Sequence, residues 1–263
     1  MQLTTAGHGD PPIAFVHGFA CDSTDWEHQI AALRDHHLVV ACDLPGHGGS
    51  PGEPDDCSIE AYGAGVAQLL VDLDLPPTIV VGHSMGCRVV LQAYLQAPQR
   101  IAGIVLLDGS RTGSGDRLLA ERGMTAQLAA QGYEGFIRDF FDGMFVAGSD
   151  PVLQSRIVAR AMQMPAATGA ALFTRLVGWD AAQMCESLDA VSVPLLLIQS
   201  TALNSERLRV SLDADQSSPW LELVRDRVPG VRVETLPGTG HFPHLEAPDD
   251  VNSLIADFAA TLD

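Results

Sequence analysis

The pentapeptide GHSMG at residues 82–86 constrains the fold of this chain more than any other stretch. The residues before it, 78–81, favour a β-strand, and the apolar residues after it recur at helical spacing as far as Tyr94. The pattern therefore predicts a strand, a sharp turn and a helix, with Ser84 on the turn. A G-x-S-x-G motif in that context is typical of a nucleophilic serine, because so tight a turn needs small residues on either side.

Composition narrows the class of protein. The chain has 263 residues, 46% of them hydrophobic, which fits one large globular domain or a core domain with an insertion. Its formal net charge of −18 argues against nucleic acid, whose phosphates need basic clusters. No apolar run approaches the roughly 18 residues of a membrane span. The first twelve residues lack the basic and apolar segments of a signal peptide, so we expect a cytoplasmic protein that binds neither nucleic acid nor membrane.

The cysteines and the glycine-rich segments give no sign of a metal or cofactor. The five cysteines are odd in number, widely spaced and without a C-x-x-C pair, which favours free thiols over disulfides or a zinc site. The glycine-rich stretch at residues 43–50 has no lysine after it and so lacks the phosphate-binding P-loop pattern. We therefore expect no metal and no cofactor.

Further apolar runs predict the rest of a sheet. Residues 13–16, 38–42, 101–107 and 193–200 are nearly solid apolar segments separated by helical patterns, as in a parallel sheet that is covered on both faces. Residues 231–236 alternate instead, as an edge strand does. The predicted fold class is α/β, with a mostly parallel central sheet flanked by helices.

Residues 111–189 interrupt this pattern and read as helices only. We predict that they form an inserted helical cap over the sheet, with residues 1–110 and 190–263 as the core. Aromatic and methionine side chains are concentrated in the cap, and four are candidates for the substrate pocket: Phe140, Phe141, Met144 and Phe145. Their apolar character suggests an uncharged, partly hydrophobic small-molecule substrate. The alternative is that these helices only pack against one another.

A serine nucleophile needs a base and backbone donors for a developing oxyanion. His241 follows the last predicted strand after a glycine-containing turn, which is where a base could reach Ser84, and His244 is interpreted as structural. The strand at 13–16 ends in His17-Gly18-Phe19, so the N–H of Phe19 is a candidate oxyanion donor.

Four motifs in this order resemble those of the α/β-hydrolase superfamily. They are HGF at residues 17–19, DLPGHGGS at 43–50, GHSMG at 82–86 and GTGHFPHLE at 238–246, and they span nearly the whole chain. Haloalkane dehalogenases and epoxide hydrolases of that superfamily carry an aspartate at the turn, so the serine here disfavours both activities.

The resemblance implies a role for each matching residue. Ser84 would be the nucleophile, His241 the base, and the N–H groups of Phe19 and Met85 the oxyanion hole. Most members place the acid in the loop after the strand at 193–200, but that loop has Asn204 near the expected place.

A minority of the superfamily places the acid at the end of the strand that follows the turn and its helix, where Asp108 stands. We predict Asp108 as the acid, with Asn204 and Glu206 as alternatives. Asp108 could instead merely cap the following turn.

These residues predict a serine hydrolase of the carboxylesterase type. Its Ser-His-Asp triad would cleave an ester or a related acyl compound through an acyl-enzyme. The same fold also supports C–C bond hydrolysis, thioester or lactone hydrolysis and cofactor-free oxygenation, and a non-catalytic small-molecule binding protein is an alternative of another class. The sequence gives no indication of the oligomeric state.

Overall fold

A computed structural model describes residues 1–204 and 208–262. Within them the strands are β1 Leu3–Ala6, β2 Ile13–Val16, β3 Val39–Cys42, β4 Thr78–His83, β5 Ile101–Leu107, β6 Leu195–Gln199, β7 Thr201–Leu203, β8 Arg209–Ser211 and β9 Arg232–Thr235. The α-helices are α1 Glu27–Leu33, α2 Ile59–Asp72, α3 Met85–Gln96, α4 Arg117–Gln131, α5 Tyr133–Asp142, α6 Pro151–Ala161, α7 Ala166–Ala182, α8 Met184–Asp189, α9 Pro219–Arg227, α10 Pro243–Glu246 and α11 Pro248–Ala259. None of these helices has the length and hydrophobicity that a bilayer crossing requires.

Seven of the described strands form one sheet in the order β1-β3-β2-β4-β5-β6-β9. All neighbours are parallel except β1, which is antiparallel to β3 at one edge. β9, the alternating strand, lies at the other edge, where its side chains are half-buried. The predicted fold class, a mostly parallel sheet flanked by helices, is confirmed.

Alternate residues of the central strands pack into two separate hydrophobic cores, one on each face of the sheet. On one face, Phe15 and Val81 pack with Trp26 and with Ile255 of α11. On the other face, residues of the opposite parity pack against α2, α3, α8 and α9. Because strand side chains alternate in direction, a run that is apolar throughout is buried on both faces. All five cysteines are free, and four of them are buried.

The segment after β6 differs from the sequence prediction, which was a polar loop. β7 and β8 pair antiparallel as a short hairpin outside the main sheet. At its turn, the N–H of Asn204 donates to the Leu208 carbonyl at 2.9 Å, and the Leu208 N–H donates to Asn204 Oδ1 at 2.9 Å. Strands of three polar and apolar residues are too short to show a period in the sequence.

Residues 111–189, all of which the structure describes, form helices α4–α8 and contain no strand. The longest of these helices, α7, is joined to α3 by a buried ion pair. Arg88 Nε and Nη2 each lie 2.7 Å from a different carboxylate oxygen of Asp180. Asp180 Oδ2 also accepts hydrogen bonds from the backbone N–H and the hydroxyl of Thr112. The pair therefore connects the segment between β5 and β6 to the helix that follows Ser84.

Removing one partner of this pair is expected to destabilise the fold. Asp180→Ala leaves the Arg88 guanidinium buried without its counter-charge, which costs about 3–5 kcal/mol. Asp189→Ala is a matched control, because it breaks the exposed Arg227–Asp189 pair, worth about 0–1 kcal/mol. Chemical denaturation measures both free energies of unfolding. Equal losses in the two variants would contradict a special role for the buried pair.

Candidate active site

Ser84, His241 and Asp108 form one hydrogen-bonded chain. Ser84 Oγ lies 2.8 Å from His241 Nε2, and His241 Nδ1 lies 2.6 Å from Asp108 Oδ2. The histidine and the aspartate are almost completely buried, with exposures of 1% and 0%. The structure therefore brings together the three residues that the sequence singled out, from the ends of β4 and β5 and from the loop after β9.

Ser84 has a strained backbone conformation at the turn between β4 and α3. Its φ of 54° and ψ of −111° lie in a region that residues with a Cβ rarely occupy. The two flanking glycines allow this turn: a Cβ on Gly82 would lie 2.3 Å from the Gly86 carbonyl oxygen, and one on Gly86 would lie 2.3 Å from the Val16 oxygen. Only glycine fits either position, and α3 begins directly after the serine.

Glu246 of α10 fixes the loop that carries His241. Its carboxylate accepts the N–H groups on both sides of the histidine, from Gly240 at 3.2 Å and from Phe242 at 3.3 Å. His83, the residue before Ser84, donates from Nε2 to the His241 carbonyl at 2.7 Å. The side chain next to Ser84 is thus bonded to the backbone of His241.

Asp108 is surrounded by hydrogen-bond donors. The backbone N–H groups of Ser200 and Thr201 both donate to Oδ1 at 2.8 Å, and the Thr201 hydroxyl donates to Oδ2 at 2.5 Å. Burial alone would raise the pKa of this carboxyl, but the His241 hydrogen bond, the charge of Arg209 and the Thr201 hydroxyl outweigh it and hold the pKa below its usual value. Asp108 is therefore ionised at neutral pH.

Arg209, on β8, is a residue that the sequence analysis did not single out. Its Nη1 lies 3.4 Å from Asp108 Oδ2 and donates to the Thr201 hydroxyl oxygen at 2.7 Å. The hairpin after β6, where an acid was the expected residue, thus supplies a cation to the acid at the end of β5. A lone arginine in a polar segment carries no sequence signal for such a contact.

The base is held neutral by its surroundings. Burial is the largest cause that lowers the pKa of His241, to about 4, followed by the charge of Arg209. The hydrogen bond and the charge of Asp108 act in the opposite direction, and Arg88 adds a weaker lowering effect. The ring of His83 lies 4.9 Å away, and burial keeps the pKa of that histidine well below 6.5, so it adds no charge at neutral pH.

The loop after β2 approaches Ser84 closely. A Cβ on Gly18 would lie 3.3 Å from Ser84 Cβ, so the backbone that precedes Phe19 passes close to the serine. His17 braces this loop, because its Nε2 accepts the Leu44 N–H at 3.0 Å and its Nδ1–H donates to the Gly18 carbonyl at 2.7 Å. Phe19 and Met85 both line the cavity at Ser84, which is where the sequence predicts the oxyanion donors.

A cavity of about 560 Å³ opens at Ser84. Of the four predicted pocket residues, Phe140, Met144 and Phe145 line it. The prediction for Phe141 was wrong: its side chain is fully buried in the core and is not part of the lining. Phe136 and Phe140 are one helical turn apart on α5 and face the cavity together, whereas the next residue points about 100° away.

Of the two alternative acid positions, the structure describes Asn204. Asn204 lies at the turn of the β7–β8 hairpin, where its side chain accepts the Leu208 N–H. Glu206 lies outside the described residues. His244 is buried against the rings of Trp26 and His83, at 4.6 and 4.4 Å. Over residues 1–204 and 208–262, no group of three His, Cys, Asp or Glu side chains is placed to hold a metal ion.

With this geometry in place, comparison with known proteins identifies the family. The chain belongs to the alpha/beta hydrolase family, whose model matches residues 13–254. An uncharacterized protein of Mycobacterium tuberculosis is 28% identical over 277 aligned positions, which cover 97% of this chain and 77% of the relative. The pimeloyl-[acyl-carrier protein] methyl ester esterase of Nitrosomonas europaea is 26% identical over 259 positions, 95% of each chain.

Solved structures show the same fold. A thermophilic esterase from Thermogutta terrifontis superposes with a TM-score of 0.82 at 22% identity, over 99% of this chain and 93% of that one. The resemblance stated from the sequence motifs is thereby confirmed, and the chain is an α/β hydrolase.

The effect of Arg209 on His241 can be measured directly. A fixed cation disfavours the imidazolium, so Arg209→Gln is expected to raise the pKa of His241 above its value of about 4, while Arg209→Lys keeps it low. Histidine ¹⁵N chemical shifts followed through the acidic range report this pKa, and a His241→Asn spectrum identifies the resonance. The same titration midpoint in wild type and Arg209→Gln would show that the cation does not act on the base.

Proposed function

We propose that this α/β hydrolase cleaves a carboxylic ester with Ser84 as nucleophile, His241 as base and Asp108 as acid. One observation carries the proposal: the hydroxyl of Ser84, on a strained turn beside a 560 Å³ cavity, lies 2.8 Å from a neutral, buried imidazole whose other nitrogen meets a carboxylate. This is the arrangement that acyl transfer by a serine requires.

The mechanism follows from the protonation states. His241 takes the Ser84 proton as the hydroxyl oxygen attacks the acyl carbonyl, and Asp108 stabilises the imidazolium that forms. The N–H groups of Phe19 and Met85 stabilise the oxyanion, with Met85 at the N-terminus of α3, where the helix dipole favours negative charge. The imidazolium then protonates the leaving alcohol. Water, activated by His241, finally releases the acid from Ser84.

The cavity lining suggests the character of one part of the substrate. Apolar side chains from the α4–α8 segment make up much of the wall, namely Met124, Phe136, Phe140, Phe173 and Leu176. We infer that this segment is a cap that covers an uncharged, partly hydrophobic group of the substrate. The relative from Nitrosomonas europaea is named for a methyl ester, which supports a carboxylic ester as the bond that is cleaved.

Replacing the nucleophile tests the proposal. Ser84→Ala is expected to lower kcat for p-nitrophenyl esters of graded acyl length by on the order of 10⁴ to 10⁶. Ser253→Ala on the exposed side of α11 is a matched control and should leave kcat unchanged. Activity near that of wild type in Ser84→Ala would overturn the assignment. Oxygen consumption that survives Ser84→Ala but not His241→Ala would indicate the oxygenase alternative instead.

A second comparison tests the choice of acid. Asp108→Asn keeps the shape of the side chain but removes the charge that stabilises the imidazolium, so kcat is expected to fall by on the order of 10³ to 10⁴. Asn204→Ala changes only a turn residue of the hairpin. Because substitutions at surface turns have small effects, kcat should fall by less than roughly tenfold. A larger loss in Asn204→Ala than in Asp108→Asn would place the acid function in the hairpin.

A further inference from the structure

A second cavity lies behind the candidate active site. Its volume is about 290 Å³, and its walls come from the residues after β5, the end of β6, the β7–β8 hairpin and the start of α9. It shares Ser110, Leu203 and Arg209 with the cavity at Ser84, so the two spaces are neighbours. Nothing in the proposed ester hydrolysis uses this smaller cavity.

The charge of its lining is unusual for this chain. The protein has 33 acidic and 15 basic residues, yet among the described residues the smaller cavity is lined by two arginines, Arg111 and Arg209, and by no aspartate or glutamate. Acidic side chains do line two other cavities, for example Asp139 at the Ser84 cavity and Glu246 at a surface groove. The lining therefore favours an anionic occupant.

Arg209 has hydrogen-bonding capacity that the described residues do not use. Its side chain is only 8% exposed, and both of its hydrogen bonds to the described residues come from Nη1. Nε and Nη2 have no partner among residues 1–204 and 208–262. Burial lowers the pKa of Arg209, although the charge of Asp108 acts in the opposite direction. The charge of Asp108 therefore offsets only part of the cost of burying this cation. An anion beside Nε and Nη2 would supply the missing partner.

Other donors surround the same space. Arg111 donates from Nε to the carbonyls of Gly113 and Asp180, at 2.9 and 3.3 Å, and within the described part of the chain its two terminal nitrogens have no hydrogen-bond partner. Trp220 Nε1 is buried and also lacks a partner there. The nine-residue helix α9 begins at this wall with Ser218 as its N-cap, so the positive end of its dipole lies beside the cavity.

We propose that this cavity is a binding subsite for a small carboxylate, which pairs with Arg111 and Arg209. The guanidinium fork suits a planar carboxylate, and Leu203, Pro219 and Leu223 offer apolar surface for a short carbon chain. The carboxylate could be an acid group of the ester substrate itself or a separate organic acid. The first of these sources rests on the proposed ester hydrolysis, whereas the subsite as such does not.

Binding is tested without turnover, in the Ser84→Ala protein. Succinate and acetate, titrated calorimetrically at constant ionic strength, are expected to bind saturably. Arg111→Gln should weaken succinate binding on the order of tenfold to a hundredfold, as loss of a charge-assisted hydrogen bond does, while Arg111→Lys should retain part of it. Arg225→Gln removes the same charge from the exposed side of α9 and should bind like the parent.

A second variant guards against a folding defect in Arg111→Gln. Ala202→Phe places a larger side chain at the cavity wall while both arginines remain, and it should also weaken succinate binding. Absence of saturable binding in the parent protein, or equal affinity in the parent, Arg111→Gln and Ala202→Phe, would overturn the subsite.

Hydrolysis distinguishes the two sources of the carboxylate. If the group belongs to the substrate, mono-p-nitrophenyl succinate should have a lower KM than p-nitrophenyl butyrate, and Arg111→Gln should raise the KM of the succinate ester alone. If it is a separate acid, free succinate should instead change the hydrolysis of the butyrate ester in wild type and not in Arg111→Gln. Ester hydrolysis that persists in Ser84→Ala would refute the proposed function and leave the binding result standing.

Discussion

The buried carboxylate of Asp108 is the interaction on which the site depends. An ionised carboxylate in the interior is tolerated only when donors surround it, and here they come from Ser200, Thr201, Arg209 and His241. These donors lie on the end of β6, on the hairpin and on the loop after β9. One charge at the end of β5 therefore holds three separate segments in register, and the imidazole is aligned with Ser84 as a result.

Local patterns in the sequence were sufficient to predict the fold and the position of Ser84. Strand, turn and helix around Ser84 are encoded within about twenty consecutive residues, and solid apolar runs indicate a parallel sheet because both faces are buried. The position of His241 was predicted from its place after the last strand, and the family resemblance implied the same role. Asp108 followed from the superfamily's minority pattern, since its place at the end of a buried strand also fits a turn cap.

The remaining parts of the site depend on contacts between residues far apart in the chain, which periodicity does not encode. Arg209 meets Asp108 across 101 positions, and His83 meets the His241 carbonyl across 158. The hairpin that carries Arg209 has strands too short for a period, so a loop was predicted. The error at Phe141 has a different cause, because an aromatic-rich helix does not reveal which side of it faces the cavity.

The left-handed backbone of Ser84 has a counterpart in Asp108, whose φ is 43°, so both ends of the hydrogen-bonded chain occupy conformations that L-residues adopt at a cost. Glycine would relax the backbone at both positions. Selection of variants for heat resistance alone would therefore favour glycine at residue 84, whereas glycine at residue 108 would leave Arg209 and the N–H groups of Ser200 and Thr201 without their acceptor. In this protein, thermal robustness and chemical competence are opposing objectives at residue 84, and any engineering programme must screen for both together.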